Sequence, residues 1–191
     1  MGTLYLVRRP ATHVDLSIPS SQWSLSEEGM GQAQRLARQP FWREVTMIYA
    51  SDEPKAVTTA RVVAAHTRLP WQTRTCLGEL DRHGYQPPDI AAYRSAVTRM
   101  FSNPEQSIRG WETRAHAEQR IIMCVQELAA GKADATVALI SHGIILTILV
   151  AHLAGLSELY EFWREMGFAS VAVLDTDHWA LKSSFSNAYL G

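Results

Sequence analysis

Short apolar runs alternate with longer segments whose apolar residues recur every three or four positions. Residues 3–8, "TLYLVR", read as a strand. "SLSEEGMGQAQRLARQ" follows with helical spacing; Ser24 or Ser26 can cap it, and Glu27 and Glu28 suit its positive end. "VTMIYAS" is a second strand. "EPKAVTTARVVAAHTRL" is a helix with Pro54 in its first turn behind the capping candidates Ser51 and Asp52. "WQTRT" is a short strand and "LGELDRHGYQPPD" a loop with a proline pair. Residues 89–101 predict a helix. Trp111 to Ala130 predict a longer one, with Trp111, Ala115, Glu118, Ile122, Val125 and Ala129 on one stripe. "ATVALIS" reads as a buried strand, "GIILTILVAHLAG" as a buried helix ending near Gly155, and "ASVAVLDTDHWALKSSF" as two strands around the turn Asp175-Thr176-Asp177. This alternation predicts an α/β fold, a three-layer α/β/α sandwich with a mostly parallel sheet over residues 1–191 as a single domain. Ligands of such sheets sit beyond the carboxyl ends of the strands.

Composition narrows the picture. The 191 residues are 47% hydrophobic and 19% charged, enough apolar surface for a core and too few charges for a disordered chain. The net charge of −1 gives no general attraction to nucleic acid or to an anionic membrane, so any anion site must be local. The run "VALISHGIILTILVAHLAGL" is long, but His142 interrupts it at a strand-to-helix junction, which predicts strand plus buried helix and no membrane span. The N-terminus does not read as a signal peptide. Cys76 and Cys124 are far apart and in no CxxC arrangement; they read as buried thiols, which fits a reducing compartment and a cytoplasmic location.

Three strand ends carry polar groups of one theme. Arg8 ends the first strand with a fixed positive charge and a fork of donors that matches phosphate oxygens, although it could also pair a carboxylate at the sheet edge. Lys55 stands in the first turn of its helix, where backbone N–H groups already favour an anion; the alternative is a solvated surface lysine. His142-Gly143 joins a buried strand to a buried helix, and the glycine lets backbone approach a ligand. Glu79 lies in the loop after the third strand and by itself is an ordinary surface carboxylate. No HExxH, paired CxxC, GxxxxGK[ST] or GxSxG occurs, so no metal site, nucleotide loop or nucleophile elbow is expected.

Taken together, "LYLVRRPAT", "WSLSEEGMGQAQRLA", "IYASDEPKAVTTA", "LGELDRHG" and "ALISHGIIL" resemble, in order, five motifs of the histidine phosphatase superfamily, in its phosphoglycerate-mutase-like branch. The resemblance covers residues 3–190. It implies a phosphate pocket, hydrolysis through a phosphohistidine and no metal or other cofactor. By position it implies Arg8 as the first phosphate clamp, Lys55 at the second clamp, His142 with Gly143 as the second histidine motif and Glu79 as the acid that protonates the leaving oxygen. Specificity would come from the region around residues 80–115.

The departure is Arg9, which stands where the resemblance puts the attacking histidine, beside Pro10 in place of a glycine. Arginine, with a pKa of about 12.5–13.8, would need about 7–9 kcal/mol to lose its proton at pH 7 and so is no nucleophile. His13, four residues on, is a candidate substitute, but attack needs about 3–3.5 Å to phosphorus and a four-residue shift would rarely achieve it. His83, in the Arg-His-Gly of the Glu79 loop, is a coincidence of letters. Two readings follow. One is a phosphate-binding, pseudoenzyme-like protein whose Arg8, Arg9, Lys55, His142 and Gly143 hold phosphate or a phosphorylated small molecule without phosphohistidine chemistry. The other is an active metal-independent phosphomonoesterase that uses a substitute nucleophile or water.

Overall fold

The computed structural model describes residues 2–83, 88–130 and 135–190. Six strands form one mixed sheet. They are β1 (Thr3–Arg8), β2 (Met47–Ala50), β3 (Trp71–Thr73), β4 (Thr136–Ser141), β5 (Val171–Asp175) and β6 (Ala180–Ser186), in the order β3-β2-β4-β1-β5-β6. β1 to β4 run parallel; β5 is antiparallel to β1, and β6 to β5. The expected α/β architecture is observed, and its parallel part holds the predicted strand ends.

The sheet is central because side chains alternate along each strand. Tyr5 and Val7 of β1, with Ile48, Ala50, Ala138 and Ile140, form one core with α1 (Glu27–Ala37) and α2 (Pro54–Thr67). Leu4, Leu6, Tyr49, Val137 and Leu139 face the other way. They pack with α3 (Ile90–Ser102), α4 (Arg114–Ala129), α5 (Gly143–Ala154) and α6 (Leu159–Glu165). Both cores are fed by the same strands, so β1 and β4 are buried on both faces and read as continuous apolar runs. Among the described residues no helix is long and apolar enough to cross a membrane.

Several boundaries differ from the sequence reading. Ser26 is the α1 cap, its hydroxyl accepting from the Gly29 N–H at 3.0 Å. Glu53, not Ser51 or Asp52, is the N-cap residue of α2. The helix predicted from Trp111 begins at Arg114, behind a Thr113 cap. Trp111 is buried in the loop before it, and the buried face is Ala117, Ile121, Cys124, Val125 and Leu128. Of the predicted stripe within the helix, only Val125 is fully buried; the stripe was anchored on Trp111, which lies outside the helix. The short α6 was not anticipated. Cys76 and Cys124 are joined in a disulfide, with Cα atoms 5.8 Å apart, contrary to the expectation of two thiols. The separation of 48 residues in sequence carried no hint that a loop and α4 would meet.

The loop after β1 is braced by α1. Ala11 donates its N–H to Gln32 Oε1 at 2.8 Å, and its carbonyl accepts from the Ser26 N–H at 3.2 Å. This docking leaves no room at Gly29, where a Cβ would stand 1.9 Å from the Ala11 carbonyl oxygen. Gly29→Ala should therefore lower stability by about 1–3 kcal/mol through forced displacement of the loop. Gly31→Ala, where the nearest atom to a Cβ is a flexible Arg35 nitrogen at 3.5 Å, should be neutral or stabilising. Urea unfolding of the two variants checks this; equal effects would show that the α1–loop contact is not tight.

Candidate phosphate site

Parallel pairing brings three strand ends side by side. Arg8 is in register with Ser141, and Ala50 with Ile140. Beyond them, the Arg9 N–H donates to the Ser141 carbonyl at 2.8 Å, the Ser51 N–H to Ile140 at 2.9 Å and the Arg74 N–H to Ala50 at 2.8 Å. These bonds extend the ladder past the strands, so Arg9, Ser51 and His142 emerge at one level.

The Arg8 guanidinium is buried. It donates through one terminal nitrogen to the Met166 carbonyl and lies over the Phe168 ring, 4.6 Å from its centroid. It also lies against Gly143, where a Cβ would stand 3.2 Å from Arg8 Cζ and Nε; the glycine is needed for this approach. Burial, then the Arg9 charge, pushes the Arg8 pKa down to about 10, which still leaves a cation at neutral pH. Arg9 is held by the Pro10 carbonyl at 3.0 Å and Thr12 Oγ1 at 3.3 Å, and shares the Phe168 ring at 5.1 Å. Burial lowers its pKa as well. Neither Arg8 Nε nor Arg9 Nε has a hydrogen-bond partner.

Lys55 is buried in the first turn of α2 and is not a surface lysine. Its ammonium donates to the Ser20 carbonyl at 2.5 Å and pairs with Glu53. Burial lowers its pKa against the opposing pull of Glu53. Glu53 is the residue that sequence reasoning missed. Its carboxylate also accepts from the Glu79 N–H at 2.7 Å and stands 3.3 Å from His142 Nε2. The available signal was an acid two residues before a lysine at a strand's carboxyl end, but an acid before proline reads first as the start of a helix.

His142 has no exposed surface and is the N-cap residue of α5. The Glu53 contact lacks hydrogen-bond geometry, so both ring nitrogens are unpartnered. Burial holds its pKa well below the usual histidine range, with Glu79 opposing and Lys55 and Arg9 reinforcing; the ring is neutral at pH 7. Glu79 turns its carboxylate to the positive end of α5, accepting from the N–H groups of Ile144 at 3.2 Å, Ile145 at 3.0 Å and its own neighbour Leu80 at 3.0 Å.

The Glu79 loop is fastened to α4 by Arg120. Its guanidinium forms a two-bond fork with Glu112 at 3.0 and 2.8 Å and donates to the carbonyls of Cys76, Gly78 and Glu79 at 2.9, 3.1 and 3.3 Å. The disulfide joins the same loop to Cys124, one turn further along α4.

Two cavities flank the cluster. One, of about 630 Å³, is lined by Arg8, Arg9, Lys55, Glu79 and Phe168 among others. The second, of about 540 Å³, has Asp52, Glu53, Asp81, Glu112 and His116 in its wall; the two share Ser20, Glu79 and Arg82. Arg82, also missed, stacks over Tyr93 at 4.9 Å and Trp111 at 5.7 Å, and its Nε is unpartnered. His13 is exposed and uses its backbone N–H on the Ser24 carbonyl at 3.0 Å; like the enclosed His142 and Gly143, it is not among the residues lining either cavity. His83 is exposed and pairs with Asp81 at 3.1 Å, in the wall of the second cavity. Part of the expected specificity region, residues 84–87, lies outside the described residues. Among the described residues no group of three or more His, Cys, Asp or Glu could hold a metal ion.

This chain belongs to the histidine phosphatase superfamily (branch 1), whose sequence profile matches residues 4–187. No curated protein matches it. Its fold is similar to that of Bacillus stearothermophilus YhfR, with a TM-score of 0.82 at 22% identity over 100% of both chains. A mycobacterial glucosyl-3-phosphoglycerate phosphatase, solved with VO3, has a TM-score of 0.75 at 24% identity over 97% of both chains. A mutant phosphoserine phosphatase from Entamoeba histolytica, solved with phosphoserine, gives 0.77 at 19% identity over 100% of both.

Two outcomes follow from the site's electrostatics. The unfolded chain titrates His142 near about 6.5, and the folded protein well below that. Between those values the unfolded state binds more protons, so this contribution is fully present above pH ~6.5 and is lost as pH falls, by up to about 1.4 kcal/mol per unit. Denaturant unfolding between pH 7 and 5.5 should show this loss, reduced in His142→Asn; equal slopes would contradict the neutral buried ring. Second, Glu53→Gln removes the carboxylate that competes for Lys55. It should destabilise the empty protein, strengthen phosphate binding by about tenfold, and enlarge the phosphate-induced rise in Tm. Weaker or unchanged binding would mean that Glu53 organises the site and does not compete in it.

Proposed function

We propose that the chain binds the phosphoryl group of a small phosphomonoester among Arg8, Arg9, Lys55, His142 and Gly143, and that phosphohistidine-dependent hydrolysis is impaired or absent. The observation that carries this reading is the set of buried donors without partners. Arg8 Nε, Arg9 Nε and a His142 ring nitrogen lack hydrogen bonds in a protein that otherwise braces each loop around them. Buried donors of this kind are costly unless an acceptor arrives, and a tetrahedral dianion offers enough oxygens for all three.

The impairment rests on Arg9. By its place in the superfamily's motif it holds the position of the attacking histidine. Burial lowers its pKa, and the neighbouring carboxylates of Glu79 and Glu53 pull the other way, toward the charged form. A guanidinium there strengthens anion binding and supplies no lone pair for attack. His13, the candidate substitute, is exposed on the loop four residues past Arg9.

A second reading has one observation in its favour. Glu79 is at the cavity wall beside the cations, where an acid for the leaving oxygen would stand. It describes a slow metal-independent phosphomonoesterase that activates water. A cytoplasmic place of work, expected from the sequence, is in tension with the disulfide, because reducing compartments keep such thiols open.

The test is adduct trapping with a labelled phosphodonor. Wild type should form no acid-labile, base-stable phosphoryl adduct. Arg9→His combined with Pro10→Gly should form one, and adding His142→Ala should abolish it. The paired change is needed because proline biases the preceding residue toward extended backbone, and a 1 Å misplacement can cost about 100-fold in rate. An adduct on the wild-type protein would overturn the impaired reading.

A further inference from the structure

The described residues leave five large hydrophobic side chains exposed, and four of them surround one opening. Val14 and Leu16 (60% and 57% exposed) come from the loop after β1, Ile90 (62%) from the start of α3, and Phe168 (38%) from the segment before β5. All four line the cavity whose floor is the Arg8–Arg9–Lys55 cluster. Only Met123, on α4, stands apart from it. Three separate stretches of chain thus bring apolar surface to the rim of one cationic pocket, and Trp23, Tyr93 and Trp163 continue that surface inward.

Single exposed apolar residues need no explanation, but several converging on a pocket do. Charged residues also stand in this wall, Asp89, Arg94 and Glu165 among them, and several are engaged elsewhere: Asp89 caps α3, accepting from the Ala92 N–H at 2.7 Å. Arg164 is engaged by Glu161 at 2.5 Å and Glu165 at 3.6 Å, and Arg82 lies flat on Tyr93 and Trp111. A sugar or a hydroxy acid bound against Leu16, Ile90 and Phe168 would surrender water from its hydroxyls to side chains that offer no acceptor, at a cost. An apolar chain or ring would lose none.

Resting on the phosphate reading above, we propose that the substrate class is a small soluble phosphomonoester of an apolar alcohol. Its phosphate is held at the floor, and its hydrocarbon lies against Leu16, Ile90 and Phe168. The site selects an amphiphile: anionic at one end, apolar at the other.

Alkylphosphonates test this whether or not the protein turns over, since the carbon–phosphorus bond is not a phosphoester. Calorimetry on the full chain would compare inorganic phosphate with methyl-, butyl- and octylphosphonate. Affinity should climb about three- to fourfold per buried methylene until the rim is filled, so that butyl exceeds methyl by at least about tenfold. In Leu16→Ser combined with Ile90→Ser the butyl-to-methyl ratio should collapse toward one, while Met123→Ser should keep the wild-type ratio. A flat series with methylphosphonate still bound would overturn the apolar class and leave the cradle standing. A length dependence unchanged in the double variant would place the hydrocarbon elsewhere and equally overturn it. No binding of phosphate or of any phosphonate would remove the cradle and this inference with it.

Discussion

Everything at this site follows from crowding three cations at the carboxyl edge of the parallel sheet, Arg8 and Arg9 at the end of β1 and Lys55 at the start of the helix after β2, on either side of β4. Burial lowers the pKa of Arg8, Arg9 and Lys55, and the Arg9 charge lowers those of Arg8 and Lys55 further. Like charges held this way are stable only if negative charge stands among them. Glu53 supplies it by pairing with Lys55, and Phe168 gives the two arginines a π face. Glu79 adds charge nearby while committed to the N-terminus of α5. What remains unmet is the donor capacity of the arginines and of a neutral, enclosed histidine, and the proposed anion site rests on that deficit.

The scaffold exists to hold that strained arrangement. On one side of the sheet, α1 pins the β1 loop through Gln32 and the close approach at Gly29. On the other, α4 fastens the Glu79 loop through Arg120 and the Cys76–Cys124 bond. Glycine at 143 lets the Arg8 guanidinium lie directly on the start of α5. The first two act on the backbone around the charges, which line the cavity while keeping their own protein partners.

How much of this could be read from the sequence depends on what each feature rests on. Strands β1 and β4 were legible because both faces are buried, which leaves unbroken apolar runs. Arg8, Lys55 and His142 were legible because they sit where such runs stop, and the sheet order then placed them together. The stripe on α4 was misjudged since a Thr113 cap, local and weak in sequence, shifts the helix start past Trp111. Short α6 left too little periodicity to detect. Arg82 and the cysteine pair were invisible for a shared reason: their roles are contacts between segments distant in the chain, and nothing in their immediate neighbours encodes the partner; Glu53 pairs with Lys55 only two residues on, but an acid before proline reads first as a helix start.

The central claim is that the unpartnered donors of Arg8, Arg9 and His142 converge on one tetrahedral anion. The most direct measurement is a crystal structure with tungstate, located by its anomalous signal. The account predicts one dominant peak within hydrogen-bond distance of Arg8 Nε, Arg9 Nε and a His142 ring nitrogen, with Lys55 turned from Glu53 toward the oxyanion. A strong peak elsewhere, or an empty cradle at saturating tungstate, would contradict it.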